Sequence, residues 1–124
     1  PANLRFLESI THPRIGEKLR QQAKELAEQG SDIIVLDAAV LLKAGWDQFC
    51  DVLVFVDAPP AVRQQRAFER GWDADELSQR EAAQLPVAEK KSRADYIFDN
   101  AGDEQHTLRQ IQQLWSRLQS RKKA

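Results

Sequence analysis

Three short apolar runs constrain the fold of this chain more than any other feature. Asp32-Ile33-Ile34-Val35-Leu36-Asp37 carries four consecutive apolar residues, three of them β-branched. Val52-Leu53-Val54-Phe55-Val56-Asp57 repeats the pattern, and Asp95-Tyr96-Ile97-Phe98-Asp99-Asn100 is a weaker third copy. None alternates apolar with polar residues, so each is expected to be a strand buried on both faces, as in a parallel sheet. Strands are therefore predicted over 32–37, 52–57 and 95–99. Each ends in an acid, and in parallel α/β sheets ligands bind outside the carboxyl ends of the strands.

The segments between the runs read as helices. Residues 4–29 carry Ile15, Leu19, Ala23, Leu26 and Ala27 at spacings that make one buried stripe. Thr11 or His12, just before Pro13, is a plausible start, with Leu4, Leu7 and Ile10 in a short helix ahead of it. Gly30 is a natural stop. Further helices are expected from Pro60 to Gly71, from Asp73 to Gln84 with Glu76 in capping-box spacing, from Pro86 to Arg93, and over 103–120. In the last, Leu108, Ile111, Leu114, Trp115 and Leu118 share a stripe that reads as core. Helix alternating with buried strand defines an α/β chain with a parallel sheet.

Composition narrows the function. With 18 Lys and Arg against 19 Asp and Glu, the net charge is −1, which argues against a basic nucleic-acid-coating protein. The single cysteine, Cys50, excludes an internal disulfide framework, and with two histidines a Cys/His zinc cluster is not expected. No apolar run approaches the roughly 20 residues that span a bilayer, and no signal peptide is seen, so a reducing, cytoplasmic setting is expected.

Several residues are candidates for chemistry. Asp37 closes a strand, where a carboxylate either holds Mg²⁺ through water or caps the next turn. Asp57-Ala58-Pro59-Pro60 reads as a turn or as the wall of a nucleotide pocket. Arg63, Arg66, Arg70, Arg80, Lys90, Lys91 and Arg93 crowd into about thirty residues with acids among them. They form either a solvated, internally paired surface or a flap whose guanidinium groups close over polyphosphate. Cys50 reads as a small buried group and His106 as exposed. Trp46 and Trp72, each after a glycine, either pack on a ligand or cover the core. Gly16-Glu17-Lys18 is not the end of a phosphate-binding loop, because Thr11 stands where glycine is required and no strand precedes it.

The order of these segments resembles the C-terminal part of dephospho-coenzyme A kinase. The stretches that carry the resemblance are Leu7-Glu8-Ser9-Ile10-Thr11-His12-Pro13, Val35 to Leu42 with Ala44-Gly45-Trp46, and Val54-Phe55-Val56-Asp57-Ala58-Pro59-Pro60. Arg66 to Arg70, Arg80-Glu81-Ala82-Ala83-Gln84-Leu85-Pro86, Glu89-Lys90, Arg93-Ala94-Asp95 and Ile97 to Gly102 complete them. The form Asp37-Ala38-Ala39-Val40-Leu41-Leu42 looks like the kinase domain of the bifunctional coenzyme A synthase. Where the family carries Pro-Leu-Leu-Phe-Glu, this chain has Ala39-Val40-Leu41-Leu42-Lys43, a base in place of an acid.

The resemblance implies a P-loop fold of the nucleoside-monophosphate-kinase type, a three-layer parallel sheet that is incomplete here. It implies ATP-dependent phosphorylation of the ribose 3′-hydroxyl of dephospho-coenzyme A, with ATP and Mg²⁺ as cofactors. Residues 1–124 would be one partial kinase domain, with substrate-side helices over 1–30, a flap over 60–93 and a C-terminal helix over 103–120. By the same carry-over, Asp37 would serve Mg²⁺ and His12 the substrate side. Arg66 and Arg80 would meet phosphate charge, with Lys90 in the flap, and Asn100 and Gly102 would lie beside adenine. The family's first two strands, its Walker A loop and its acidic base have no counterpart in the chain. The chain alone is therefore expected to be inactive, and a missing N-terminal segment or a second copy is expected to complete the sheet. A non-catalytic coenzyme A- or nucleotide-binding module, or another small-molecule nucleotide kinase, is the alternative.

Overall fold

The structure is a computed structural model that describes residues 2–122. The chain forms two compact units, Pro1–Asp51 and Val52–Ala124.

The first unit is built on one helix, α1, Ala2–Glu28. It runs through Pro13 without a break, although proline donates no N–H to the carbonyl of Ser9. The expected start at Thr11 or His12 is thus replaced by a continuous helix, and its packing explains why. Glu8, His12, Gly16 and Arg20 recur every four residues and form one stripe that straddles Pro13. Against this stripe lies the segment 43–49. Lys43 Nζ meets Glu8 Oε1 at 2.7 Å, the rings of His12 and Trp46 lie edge to face with centroids 5.7 Å apart, and the Arg20 guanidinium sits 4.1 Å above the Phe49 ring. Contacts on both sides of the proline hold the helix through it.

Gly16 is the centre of this unit. A Cβ there would lie 2.9 Å from Trp46 Nε1, so only glycine lets the indole close on the helix. Trp46 is 5% exposed, which settles its role as core. The apolar stripe expected to be buried is not: Ile15 and Leu26 are 44% and 42% exposed. A 3₁₀ turn, Trp46–Phe49, follows Gly45, whose φ of 73° is a left-handed conformation suited to glycine.

The strand expected over 32–37 is not formed. Residues 33–38 belong to no helix or strand, and Val35 is 80% exposed. A strand exists only through its ladder, and none of the described residues pairs with this run.

The second unit contains the other two strands. β1, Val54–Asp57, pairs in parallel with β2, Tyr96–Asp99, with Val54 opposite Tyr96 and Asp57 opposite Asp99. Between them run α2, Pro60–Glu69, α3, Ala74–Ala82, and α4, Val87–Arg93; α5, Glu104–Lys122, follows β2 and packs on it. The capping expectation for α3 is met, since Asp73 Oδ1 accepts from Glu76 N–H at 2.7 Å. Burial on both faces of the strands is not met: Val56 and Ile97 are 55% and 50% exposed. Among the described residues of α5 only Leu114 is buried, and Trp115, expected in the core, is 44% exposed, because two strands are too narrow to cover the whole helix.

The two edges of this sheet differ. Asn100 N–H reaches the Asp57 carbonyl at 2.7 Å, so by alternation the backbone of Asp99 faces the outer edge of β2. There the Gln110 carboxamide meets it twice. Asp99 N–H donates to Gln110 Oε1 at 2.9 Å, and Gln110 Nε2 donates to the Asp99 carbonyl at 2.8 Å. One side chain occupies the place of a neighbouring strand. On the opposite edge, the backbone of Val54 and Val56 has no ladder partner among the described residues.

Candidate nucleotide site

The carboxyl ends of β1 and β2 gather the polar groups of the second unit. Asp57 Oδ2 lies 2.5 Å from Lys91 Nζ, and Asp99 Oδ2 lies 3.3 Å from His106 Nε2. The other Asp99 oxygen accepts from Ala101 N–H at 2.9 Å, which turns the chain sharply after the strand. Asp103 then caps α5 by accepting from His106 N–H at 2.8 Å. Gly102 lies close under His106, whose side chain comes within 3.6 Å of where a Cβ on Gly102 would stand.

Beside this turn is a shallow depression of about 300 Å³ lined by Arg66, Asn100, Gly102, Glu104, Thr107, Leu108 and Ile111. Three residues expected from sequence to serve ATP, namely Arg66, Asn100 and Gly102, thus share one concavity. Its floor is apolar, from Leu108 and Ile111, and its rim carries the Arg66 guanidinium, the Asn100 carboxamide, the Thr107 hydroxyl and the Glu104 carboxylate. Arg66 makes no ion pair within 4.0 Å among the described residues, although Glu104 lines the same depression. The Asn100 carboxamide is held by α5: Thr107 Oγ1 donates to Asn100 Oδ1 at 2.9 Å.

Arg63, Arg80, Lys90 and Lys91 are already engaged. Arg80 Nη2 lies 2.9 Å from Glu76 Oε1, and its guanidinium carbon sits 4.1 Å over the Trp72 ring. Arg63 ties α2 to α3, with Nε 2.8 Å from Glu81 Oε1 and Nη1 donating to the Ala58 carbonyl at 2.7 Å. Lys90 Nζ donates to Gln84 Oε1. Partial burial pushes the Lys90 pKa down, and the nearby Glu81 carboxylate pulls the other way. The stretch expected as a flap is therefore internally paired in this conformation.

Asp37 and His12 belong to the first unit. Asp37 is exposed at the end of the irregular run, and His12 is committed to the Trp46 ring. Lys43, the base at a position where an acid was expected, meets Glu8 and holds that carboxyl below its usual range, chiefly through the hydrogen bond. Cys50 is half-buried rather than fully buried; burial, with Asp47 and Asp51 nearby, raises its thiol pKa.

Sequence reasoning overlooked Thr107 and Gln110, the two α5 residues that fix the end of β2. Their signal is legible in hindsight: two short polar side chains, three apart, sit on the face of a helix that follows a strand ending Asp-Asn.

A parallel sheet with helices between its strands, and polar side chains gathered beside the strand ends, is the arrangement of a P-loop kinase fold with part of its sheet present. The family model described as dephospho-CoA kinase matches residues 1–106, and the chain belongs to that family. A dephospho-CoA kinase of Aquifex aeolicus is 33% identical over 115 residues, which are 93% of this chain and 58% of that protein. One from Anaeromyxobacter dehalogenans is 40% identical over 103 residues, 82% of this chain and 49% of its own length. The crystal structure of TT1252 from Thermus thermophilus superposes with a TM-score of 0.75 at 28% identity, covering 95% of this chain and 61% of that one. The chain thus spans about half to three-fifths of the proteins it matches. No helix among the described residues is long and apolar enough to cross a membrane.

Proposed function

We propose that this chain is the part of a dephospho-coenzyme A kinase that holds the adenine of ATP and carries the flap, residues 1–124 forming one partial kinase domain of a cytoplasmic protein. The reaction is transfer of the γ-phosphoryl group of ATP to the ribose 3′-hydroxyl of dephospho-coenzyme A. The bond from phosphorus to the β,γ-bridging oxygen breaks, a bond to O3′ forms, and the hydroxyl proton passes to a base that the family carries outside this stretch. The observation that supports the reading best is the convergence of Arg66, Asn100 and Gly102 on one depression at the strand ends.

Each residue then has a role. Asn100 and Gly102 border adenine, and Arg66 offers a planar guanidinium to phosphate oxygens. Arg80 leaves Glu76 and Trp72 to meet the transferring group when the flap closes, with Lys90 beside it. His12 serves the dephospho-coenzyme A side. Mg²⁺, if bound, would supply positive charge against the phosphates. Asp37 suits it as a hard oxygen donor, since such sites use one or two carboxylates with water and phosphate completing the shell.

Phosphoryl transfer requires a cradle for the β- and γ-phosphates. The unpaired edge at Val54 and Val56 supports a further requirement: a segment outside this chain, or a second copy, completes the sheet. The 124-residue chain with ATP, Mg²⁺ and dephospho-coenzyme A is expected to show no turnover, and measurable product overturns that expectation. Binding of dephospho-coenzyme A or coenzyme A by calorimetry without turnover in any longer form favours the second reading, a non-catalytic binding module. A screen of phosphate acceptors on a longer form separates this activity from that of another small-molecule nucleotide kinase.

A further inference from the structure

Asn100 is fixed by three groups. Its N–H is spent on the Asp57 carbonyl, its Oδ1 accepts from Thr107 Oγ1 at 2.9 Å, and the strand end that carries it is bracketed by Gln110. Its Nδ2 has no acceptor among the described residues. A helical threonine ordinarily turns its hydroxyl to the carbonyl three or four residues back. Thr107 turns it to Asn100 instead. Both residues line the same depression, above Leu108 and Ile111.

A carboxamide presents an acceptor and two donors, and if free to rotate it pairs with either kind of base edge. Anchoring its oxygen removes that freedom. We propose that Thr107 is a positioning residue for base selection: by holding the carbonyl of Asn100 it leaves that carboxamide presenting its NH₂ group alone to the depression, which selects a purine whose ring nitrogen carries a lone pair. The inference rests on the reading that the depression receives the base of ATP. Discrimination follows because a base presenting N–H at that point leaves two donors facing each other, both unpaired. With the anchor gone, the carboxamide turns and accepts from that N–H, and selection is lost.

The test is titration of the 124-residue chain with ATP, ITP and 7-deaza-ATP. ITP carries hydrogen on N1, and 7-deaza-ATP lacks the N7 lone pair. The wild-type chain is expected to bind ATP more tightly than one of the two analogues. Thr107→Val is expected to weaken ATP about 3- to 10-fold and bring the analogue ratio close to one, while Thr107→Ser restores both. Should Thr107→Val lose helical circular dichroism, Thr107→Ala removes the hydroxyl without branching and decides in its place. Hydroxyl-less variants that keep ATP affinity and base preference, where Asn100→Ala loses them, overturn the role of Thr107 alone. A wild-type chain that does not bind ATP, or Asn100→Ala that binds as wild type, overturns the base-site reading and the inference with it. Equal binding of all three nucleotides by wild type overturns the selection.

Discussion

Arg80 sits over Trp72, its guanidinium carbon 4.1 Å from the ring centroid, while its nitrogens Nε and Nη2 share one Glu76 oxygen. The stack joins α3 to the loop that precedes it. At an exposed site such a cation–π contact is worth about 0.5–1 kcal/mol. Arg80→Ala is therefore expected to lower stability by about that amount and to shift the emission of Trp72. Urea unfolding followed by fluorescence, in a background with Trp46 and Trp115 replaced by Phe, measures both. Arg80→Lys is expected to keep the ion pair and lose most of the stack, because an ammonium is not planar. An unchanged Trp72 spectrum in Arg80→Ala counts against the contact.

Gly16 meets Trp46 where a Cβ would stand 2.9 Å from the indole nitrogen. Helix propensity favours replacing a glycine within a helix, by up to about 1 kcal/mol for alanine. Overpacking opposes it, typically by about 1–3 kcal/mol. Trp46 is buried and cannot swing clear, so the steric term is expected to win. Gly16→Val, which gains little propensity, is expected to lose about 2 kcal/mol in chemical denaturation. A stabilised Gly16→Val shows that the indole has room to move.

The Glu8–Lys43 pair carries a pH signature. The Lys43 hydrogen bond depresses the folded-state pKa of Glu8 from its ordinary value of 4.5. A depressed carboxyl contributes stability that is fully present above the ordinary value and lost as pH falls through the lower folded one. Melting curves of wild type and Lys43→Ala, taken from pH 7 down to 3, are expected to differ at neutral pH and to converge in acid. A difference that stays constant across the range assigns the effect to something other than this ionisation.

Much of the second unit was legible in the sequence because local rules decide it. Pro60 opens α2, Asp73 and Glu76 set the start of α3, and the apolar runs at 52–57 and 95–99 supply both strands. The first unit was less legible. Its contact stripe is Glu8, His12, Gly16 and Arg20, a set no hydrophobic pattern marks, since its buried centre, Gly16, works by having no side chain at all. Residues 32–37 have the composition of a strand, but a ladder is a property of two segments and cannot be read from one. The same holds at the strand ends. Asn100 stood out as a strand-terminal amide, whereas Thr107 and Gln110 matter through what they touch, and helical periodicity is silent about touch.

The Gln110 bracket gives the sheet a direction of growth. A carboxamide carries one acceptor and a donor group in the spacing of a peptide, so it ends the hydrogen-bond lattice beyond β2 as a chain terminator ends a polymer. The other edge, at Val54 and Val56, carries no such cap among the described residues. A strand that joined at Val54 and Val56 would lie next to β1, with β2 on the other side of β1.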